Sequence, residues 1–345
     1  MLYVTYFHMK RIKVGLNGFG RIGRAVTRIA FERDTFEIVA INTRKTPPDM
    51  LAYLLQYDSV YRRFGKKVEA GADFISVDGK KIPALMTADI SAIPWEQYGA
   101  EVVIDATGAF TTKEDLMKHV RGTVKKVILT APSKDKETAH VVLGVNEDDI
   151  NWKDEVVISN ASCTTNCAAP MFKILEKEFG VEMGYLTTIH SYTATQSLLD
   201  ESNKKPDRSR AAALNMGPST TGAAKAVGKV IPSLKGKLDG MSVRVPTPTV
   251  SFTDISAVMK KDVTAEEINA TFKKHAEGDM KMVLGYETAP LVSSDFIGDT
   301  HSCIFDANYT KVMNGKLVKI FGWYDNEWGY STRIVDLVEK VSDFV

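Results

Sequence analysis

Cys163 lies in Ser159-Asn160-Ala161-Ser162-Cys163-Thr164-Thr165-Asn166-Cys167, where hydroxyl and amide side chains surround a sulfur. A core helix would place aliphatic side chains there. A short β-branched run, Val156 to Ile158, precedes it, and Cys167, Met171, Ile174, Leu175 and Phe179 follow at helical spacing. The pattern predicts a strand-to-helix turn with Cys163 on the first helical turn. Unpaired N–H groups and the positive end of the helix dipole favour a thiolate there. A thiolate attacks a carbonyl carbon far better than a thiol does. His190 ends a second apolar run, Met183 to His190, and opens onto the polar cluster Ser191 to Gln196. Such an imidazole is either a hydrogen-bonded core histidine or the base that takes the thiol proton.

Further residues suit an anion. Ser219-Thr220-Thr221-Gly222 leads into a helix over Ala223 to Val230, whose start is an anion site. Arg244 stands inside the strand-like run Met241 to Pro246. It either faces solvent or clamps a phosphate. Leu199 to Pro218 carries Lys204, Lys205, Arg208 and Arg210, lacks periodicity and reads as a long functional loop. Strands are expected over Val250 to Met259 and Leu317 to Tyr324, and a capping box at Thr264 to Glu267 starts a helix reaching His275. Asn326 falls in a turn between the strand ending at Tyr324 and a last helix, Tyr330 to Val341. It either caps that helix or offers its amide to a ligand.

The elements that must position these groups begin with a strand, Ile12 to Leu16, followed by Asn17-Gly18-Phe19-Gly20-Arg21-Ile22-Gly23 and a helix from Arg24 to Arg33. A second β-rich run covers Phe36 to Ile41. Strand, Gly-x-Gly-x-x-Gly, helix, strand is the arrangement that binds a dinucleotide pyrophosphate. Gly18 permits the tight turn, Gly20 the approach of the phosphates, and Gly23 the close packing of helix on strand. The acidic residue expected after the second strand is missing, and Asn42-Thr43-Arg44 stands there. Arg44 and Lys45 either pair with a ribose 2′-phosphate or form a solvated loop. Val102 to Asp105 and Lys126 to Leu129 continue a parallel sheet. Thr107, Gly108 and Thr130, beyond their ends, either line the cofactor or serve as turn residues. Residues 57–94 read as short strands and turns, with Asp78-Gly79 a hairpin.

The expected fold is α/β: a Rossmann-type parallel-sheet dinucleotide-binding domain over 9–161, completed by the C-terminal helix over 327–345, and an α+β catalytic domain with a mostly antiparallel sheet over 162–326. Residues 1–8 read as an extension outside the fold, ahead of the more natural start Met9-Lys10. A chain of 345 residues accommodates two domains. Its net charge of +1 gives no global reason to expect nucleic acid or an anionic membrane, so anion sites must be local. Three cysteines suit a reducing compartment, here the cytoplasm, better than a disulfide framework. No metal-ligand spacing appears, and no apolar run reaches about 18 residues.

Five motifs then occur in order: Asn-Gly-Phe-Gly-Arg-Ile-Gly-Arg over 17–24, Ala-Ser-Cys-Thr-Thr-Asn-Cys over 161–167, Thr-Thr-Gly-Ala-Ala-Lys-Ala over 220–226, Arg-Val-Pro-Thr-Pro over 244–248 and Trp-Tyr-Asp-Asn-Glu-Trp-Gly-Tyr over 323–330. From Lys10 onward the chain closely resembles the phosphorylating glyceraldehyde-3-phosphate dehydrogenase family. The resemblance implies that Cys163 forms a hemithioacetal and then a thioester with glyceraldehyde 3-phosphate, that His190 is the base, and that inorganic phosphate releases 1,3-bisphosphoglycerate. It implies that Thr193, Arg208 and Arg244 hold the substrate phosphate or its neighbourhood, and that Ser162, Thr164, Thr221 and Gly222 hold the attacking one. Asn326 would hold the nicotinamide amide of NAD or NADP, and Gly18, Phe19, Gly20, Arg21 and Ile22 of the glycine motif, with Asn42, Thr43, Arg44, Thr107, Gly108 and Thr130, are the other expected cofactor residues. It also implies a homotetramer, with the Leu199 to Pro218 loop near a neighbour's cofactor. The chain departs from the NAD-using pattern at Thr43, where Asp is usual, at Glu201-Ser202, where Leu-Pro is usual, and at Ala88, where an arginine is common. Losing the Asp removes a repulsion against a 2′-phosphate, so dual use or NADP preference is expected. Two related readings stand beside it: an erythrose-4-phosphate dehydrogenase, which releases its acid with water, and an NADP-preferring member working in the sugar-making direction. A cysteine hydrolase using the same Cys–His pair would need no dinucleotide fingerprint.

Overall fold

Short Val/Ile-rich strands buried on both faces build a sheet that must be covered by helices on either side. In this computed structural model, which describes residues 11–345, they form a nine-stranded sheet. The expected extension over residues 1–8 and the start at Met9-Lys10 lie outside the described residues. The strands are β1 (Lys13–Asn17), β2 (Glu37–Asn42), β3 (Val68–Ala70), β4 (Phe74–Val77), β5 (Lys80–Leu85), β6 (Val102–Asp105), β7 (Lys126–Leu129), β8 (Ala139–His140) and β9 (Val157–Ser159). Their spatial order is β3-β4-β5-β2-β1-β6-β7-β9-β8. From β5 to β8 every pairing is parallel, and β3, β4 and β5 add an antiparallel edge. Strand order reverses between β1 and β6, which opens a crevice beyond their carboxyl ends. Asp78 (φ 48°) and Gly79 (φ 82°) close the β4–β5 hairpin with the two positive φ angles its tight turn requires.

Helices are α1 (Arg21–Arg33), α2 (Pro48–Gln56), α3 (Lys113–Leu116), α4 (Cys163–Glu178), α5 (Ala223–Val230), α6 (Ala265–Glu277) and α7 (Trp328–Ser342). The C-terminal α7 returns to pack on α1. Its Tyr330, Ile334, Leu337, Val338 and Val341 share a core with Val14, Leu16, Val26 and Ile29.

The second sheet contains β10 (Val181–Ser191), β11 (Gly217–Thr220), β12 (Leu238–Val245), β13 (Ser251–Met259), β14 (Leu284–Glu287), β15 (Cys303–Asp306), β16 (Lys311–Met313) and β17 (Leu317–Tyr324). The order is β11-β12-β10-β13-β17-β15-β14, with β16 paired to β17. Most pairings are antiparallel; β10–β12 and β14–β15 are parallel. Cys167, Met171, Ile174 and Leu175 of α4 bury against this sheet with Leu186, Ile255 and Ile320. The molecule is thus α/β, a Rossmann-type parallel sheet joined to an α+β unit.

Several elements differ from the sequence reading. α1 begins at Arg21, because Gly20 itself is the N-cap, and not at Arg24. α2 was not foreseen; its nine residues are too few to show a sustained helical period. Residues 199–218 are not loop throughout: a 3₁₀ turn spans Pro206–Arg208, and β11 starts at Gly217, gaining its order from pairing with β12. No helix of the described residues is long and apolar enough to cross a membrane.

Candidate active site

Between β9 and α4 the chain turns sharply at Ala161, which takes φ +52°. That conformation costs a non-glycine residue about 1 kcal/mol, and neighbours hold it. Ala161 N–H donates to Ser159 Oγ at 3.1 Å, and Tyr330 O–H donates to Ala161 O at 3.0 Å. Ser162 caps α4, its Oγ accepting from Thr165 N–H at 3.0 Å. Cys163 is therefore the first helical residue. Thr164 turns inward: its Oγ1 lies 3.0 Å from Tyr324 O–H, which is 2.7 Å from Thr188 Oγ1. This buried chain ties α4 to β10 and β17, and it engages the Thr164 hydroxyl expected to hold phosphate.

β10 and β12 run parallel with His190 opposite Arg244 in register. His190 Nε2 lies 3.5 Å from Cys163 Sγ. On the far side of the ring, Nδ1 is 2.7 Å from Ser191 O and 2.6 Å from Arg244 Nη1, which itself donates to Ser191 O at 2.8 Å. Nδ1 cannot donate to the carbonyl and accept from the guanidinium at once. With its proton directed to Ser191 O, Nε2 presents a lone pair to the sulfur.

Burial is the largest influence on both groups. It pushes the Cys163 thiol up, to about 11, against the pull of Arg244 and the Thr164 N–H. Burial followed by the Arg244 charge pushes His190 down, to about 3. The start of α4 favours a thiolate, as the sequence suggests, but desolvation outweighs it. Burial thus favours a neutral thiol beside a neutral imidazole, while the helix start and Arg244 favour the thiolate.

Beside this pair are two guanidinium groups with incomplete bonding. Arg208 Nε and Arg244 Nε are buried with no protein partner. Arg208 Nη1 donates to Thr195 Oγ1 at 2.9 Å, and Thr195 Oγ1 is 2.9 Å from Thr193 Oγ1. Burial, followed among the charges by Arg208 opposing Cys163, lowers the Arg244 pKa. Two neighbouring cations with unused donors suit an oxyanion. Thr221 Oγ1 accepts from Ala223 N–H at 3.2 Å, and Gly222 is the N-cap of α5, which packs on α4.

The crevice beyond β1 and β6 is a cavity of about 560 Å³ lined by Gly18, Phe19, Gly20, Asn42, Thr43, Arg44 and Thr107 among others. Gly18 has φ +97°, and a Cβ there would lie 2.7 Å from Ala106 C and Thr107 N. A Cβ on Gly23 would strike Gly18 O, while above Gly20 nothing lies within 4 Å. Those positions fit a pyrophosphate resting against bare backbone. Thr43 Oγ1 donates to Thr46 O at 3.1 Å and closes a local turn, whereas Arg44 is exposed at the rim.

Other expected cofactor residues lie outside that lining. Arg21 instead pairs with Asp58 and Glu327. Ile22, Gly108, Thr130 and Asn326 do not line the cavity. Asn326 Oδ1 accepts from Ser251 O–H at 2.9 Å. Capping of α7 falls to Asp325, whose Oδ1 accepts from Glu327 and Trp328 N–H.

Sequence reasoning missed Asn17, Asp105, Thr87 and Arg24. Asp105 is fully buried; it accepts from Asn17 Nδ2 at 2.9 Å and Thr107 O–H at 2.6 Å. Asn42 Nδ2 joins the network through Asn17 Oδ1, and Asn42 Oδ1 accepts from Thr87 N–H. Arg24 donates to Phe19 O at 2.9 Å and leaves Nε buried without a protein partner. The available signal was a polar residue ending each of β1, β2 and β6, where apolar strands meet a ligand crevice.

Comparison with known proteins agrees with this geometry. Residues 12–113 match the family model described as the NAD binding domain of glyceraldehyde 3-phosphate dehydrogenase, and residues 162–326 match its C-terminal domain. The chain is similar to glyceraldehyde-3-phosphate dehydrogenase 1 of Bacillus cereus, 51% identical over 94% of this chain and 97% of that one. It is 50% identical to glyceraldehyde-3-phosphate dehydrogenase 2 of Streptomyces avermitilis over 96% of this chain and 99% of the other. Against glyceraldehyde-3-phosphate dehydrogenase 1 of Kluyveromyces lactis it is 48% identical over 96% of this chain and the full length of that protein. With a cysteine–imidazole pair beside two arginines and a dinucleotide cradle upstream, matched across nearly its whole length, the chain belongs to the glyceraldehyde-3-phosphate dehydrogenase family.

Proposed function

We propose that this protein catalyses the reversible oxidation of D-glyceraldehyde 3-phosphate to 1,3-bisphosphoglycerate with NAD or NADP and inorganic phosphate. The observation that carries the reading is Cys163 Sγ at 3.5 Å from His190 Nε2, with Arg244 on the other side of the same ring. Thr193, Arg208 and Arg244 hold the substrate phosphate and bring its aldehyde to the sulfur. Nε2 accepts the thiol proton as sulfur adds to the carbonyl carbon and returns it to the alkoxide so formed, giving a neutral hemithioacetal and a free Nε2. Nε2 then takes the hemithioacetal hydroxyl proton as C1 is oxidised and the thioester forms. A bound nicotinamide dinucleotide, held by the crevice residues, would supply the hydride acceptor. Ser162, Thr221 and Gly222 hold inorganic phosphate, whose oxygen attacks the thioester and releases the acyl phosphate and Cys163. The cradle residues Gly18, Phe19 and Gly20, with Thr107, hold the dinucleotide.

NADP as an accepted cofactor is supported by Arg44 at the crevice rim and by the absence of a carboxylate at Thr43. A homotetramer in the cytoplasm is part of the same proposal. Leu198, Leu199, Leu214 and Met216 are 74–81% exposed on the 199–218 segment and its flank, which suits burial against another copy. Initial rates with glyceraldehyde 3-phosphate, with and without inorganic phosphate, in NAD and in NADP, test the reading. Phosphate-dependent formation of acyl phosphate is expected. Equal rates without phosphate would overturn it. A kcat/KM for NAD more than about tenfold above that for NADP would overturn the cofactor part.

A further inference from the structure

A second cavity, of about 670 Å³, lies where the 131–140 segment meets α5 and the turn into β12. It shares no residue with the cysteine site or the dinucleotide crevice. Four lysines surround it: Lys136 from the first segment, Lys225 and Lys229 from α5, and Lys235 from the turn. None of them pairs with a carboxylate among the described residues. The nearby Asp135 is otherwise engaged. Its carboxylate, which burial would raise, is held well below the usual range by bonds from Thr138 and Lys113 N–H and from the Ser133 and Thr138 hydroxyls. Those bonds also fix the loop that presents Lys136.

Lys225 and Lys229 stand four residues apart on one face of α5, which contains no acidic residue. Like charges so spaced repel and weaken an isolated helix. An anion between them removes that repulsion. The field reaches His140 on the cavity wall, where burial and then the Lys229 charge lower the imidazole pKa. Ala224, Pro232 and Leu238 supply an apolar lining. A concave space of this size, apolar in part and ringed by unpaired ammonium groups, suits a small organic polyanion.

We propose that this cavity is a second anion site, distinct from both phosphate positions of the reaction, for a small molecule that carries several phosphates on an organic body, as a nucleoside triphosphate does. The test is equilibrium dialysis of ATP against the full-length protein with the dinucleotide crevice saturated by NAD, using native protein and Lys225→Gln/Lys229→Gln. Both side chains are exposed and make no bond in the fold, so kcat without ATP should be unchanged in the double variant and reports intact folding. Native protein is expected to bind ATP under NAD saturation, and the double variant to bind it at least about tenfold more weakly. No ATP bound beyond the crevice, or equal affinity in the two proteins, overturns the site. Inorganic tripolyphosphate is the second probe. Weaker binding than ATP supports an organic body on the ligand; equal binding overturns that part.

Discussion

At Cys163 the helix start and the surrounding desolvation act in opposite directions, and Arg244 is the charge that most favours the thiolate. Arg244 also helps keep His190 neutral. Replacing it by Gln therefore raises both pKa values. The pH profile of iodoacetamide alkylation at Cys163 is expected to move to higher pH, and the acid limb of kcat/KM to move up with the imidazole. An unmoved alkylation profile would remove Arg244 from the electrostatics of the pair. Cys163→Ser is expected to lower kcat by at least about 10³-fold, and His190→Gln by about 10²–10⁴-fold. Both should keep the native circular dichroism spectrum, so that the losses report on the site.

At the scale of the elements, the turn at Ala161 and the Ser162 cap position the sulfur. Ser162→Ala and Thr264→Ala each remove one helix N-cap, worth about 1 kcal/mol. Similar drops in melting temperature are expected. Activity should fall only in Ser162→Ala, because α6, capped by Thr264, holds no site residue. A matching loss of kcat/KM in both would tie activity to stability alone. In α1, Gly23→Ala forces a methyl group onto Gly18 O. Displacement of the cradle by that overpacking, with a strain of about 1–3 kcal/mol, should raise the KM for NAD while leaving Cys163 alkylation unchanged. Helices with a long apolar stripe, α4 and α7, were readable because each repeats its period over several turns. α2 is too short for that, and β11 owes its form to a partner distant in sequence.

For the whole molecule, His190 links catalysis to acid stability. Its pKa lies near 3 in the folded protein, against about 6.5 for an exposed histidine. Below pH about 6.5 the unfolded chain takes up a proton that the native protein refuses. The stabilisation is complete above that value and is lost as pH falls toward 3. From pH 6.5 to 5 the loss is about 2 kcal/mol. Urea midpoints at pH 7.5 and 5.0 should therefore converge more closely in His190→Gln than in the native protein. An unchanged gap would contradict the depressed imidazole pKa. The two sheets also meet through contacts that no local pattern shows. Asp325, between β17 and α7, accepts from Tyr61 O–H, Thr249 O–H and Gly298 N–H. Arg21, the first residue of α1, reaches Glu327 near the opposite end of the chain.

The sequence by itself determined the local chemistry: a glycine cradle after β1, a cysteine on the first turn of α4, a histidine at the end of β10, and an arginine, Arg244, inside an otherwise apolar strand. These depend on residue type and near-neighbour spacing, which backbone geometry converts directly into turns, caps and strand ends. Tertiary structure alone decided that His190 faces Arg244, because that follows from the parallel register of β10 on β12. It decided that Arg21 and Asn326 bond within the protein, and that Asn42 and Asp105 brace the crevice from beneath. It also set the desolvation that pushes the Cys163 thiol up, since that depends on what the rest of the chain packs around the sulfur. A helix start read from sequence supplies the dipole but not the dielectric.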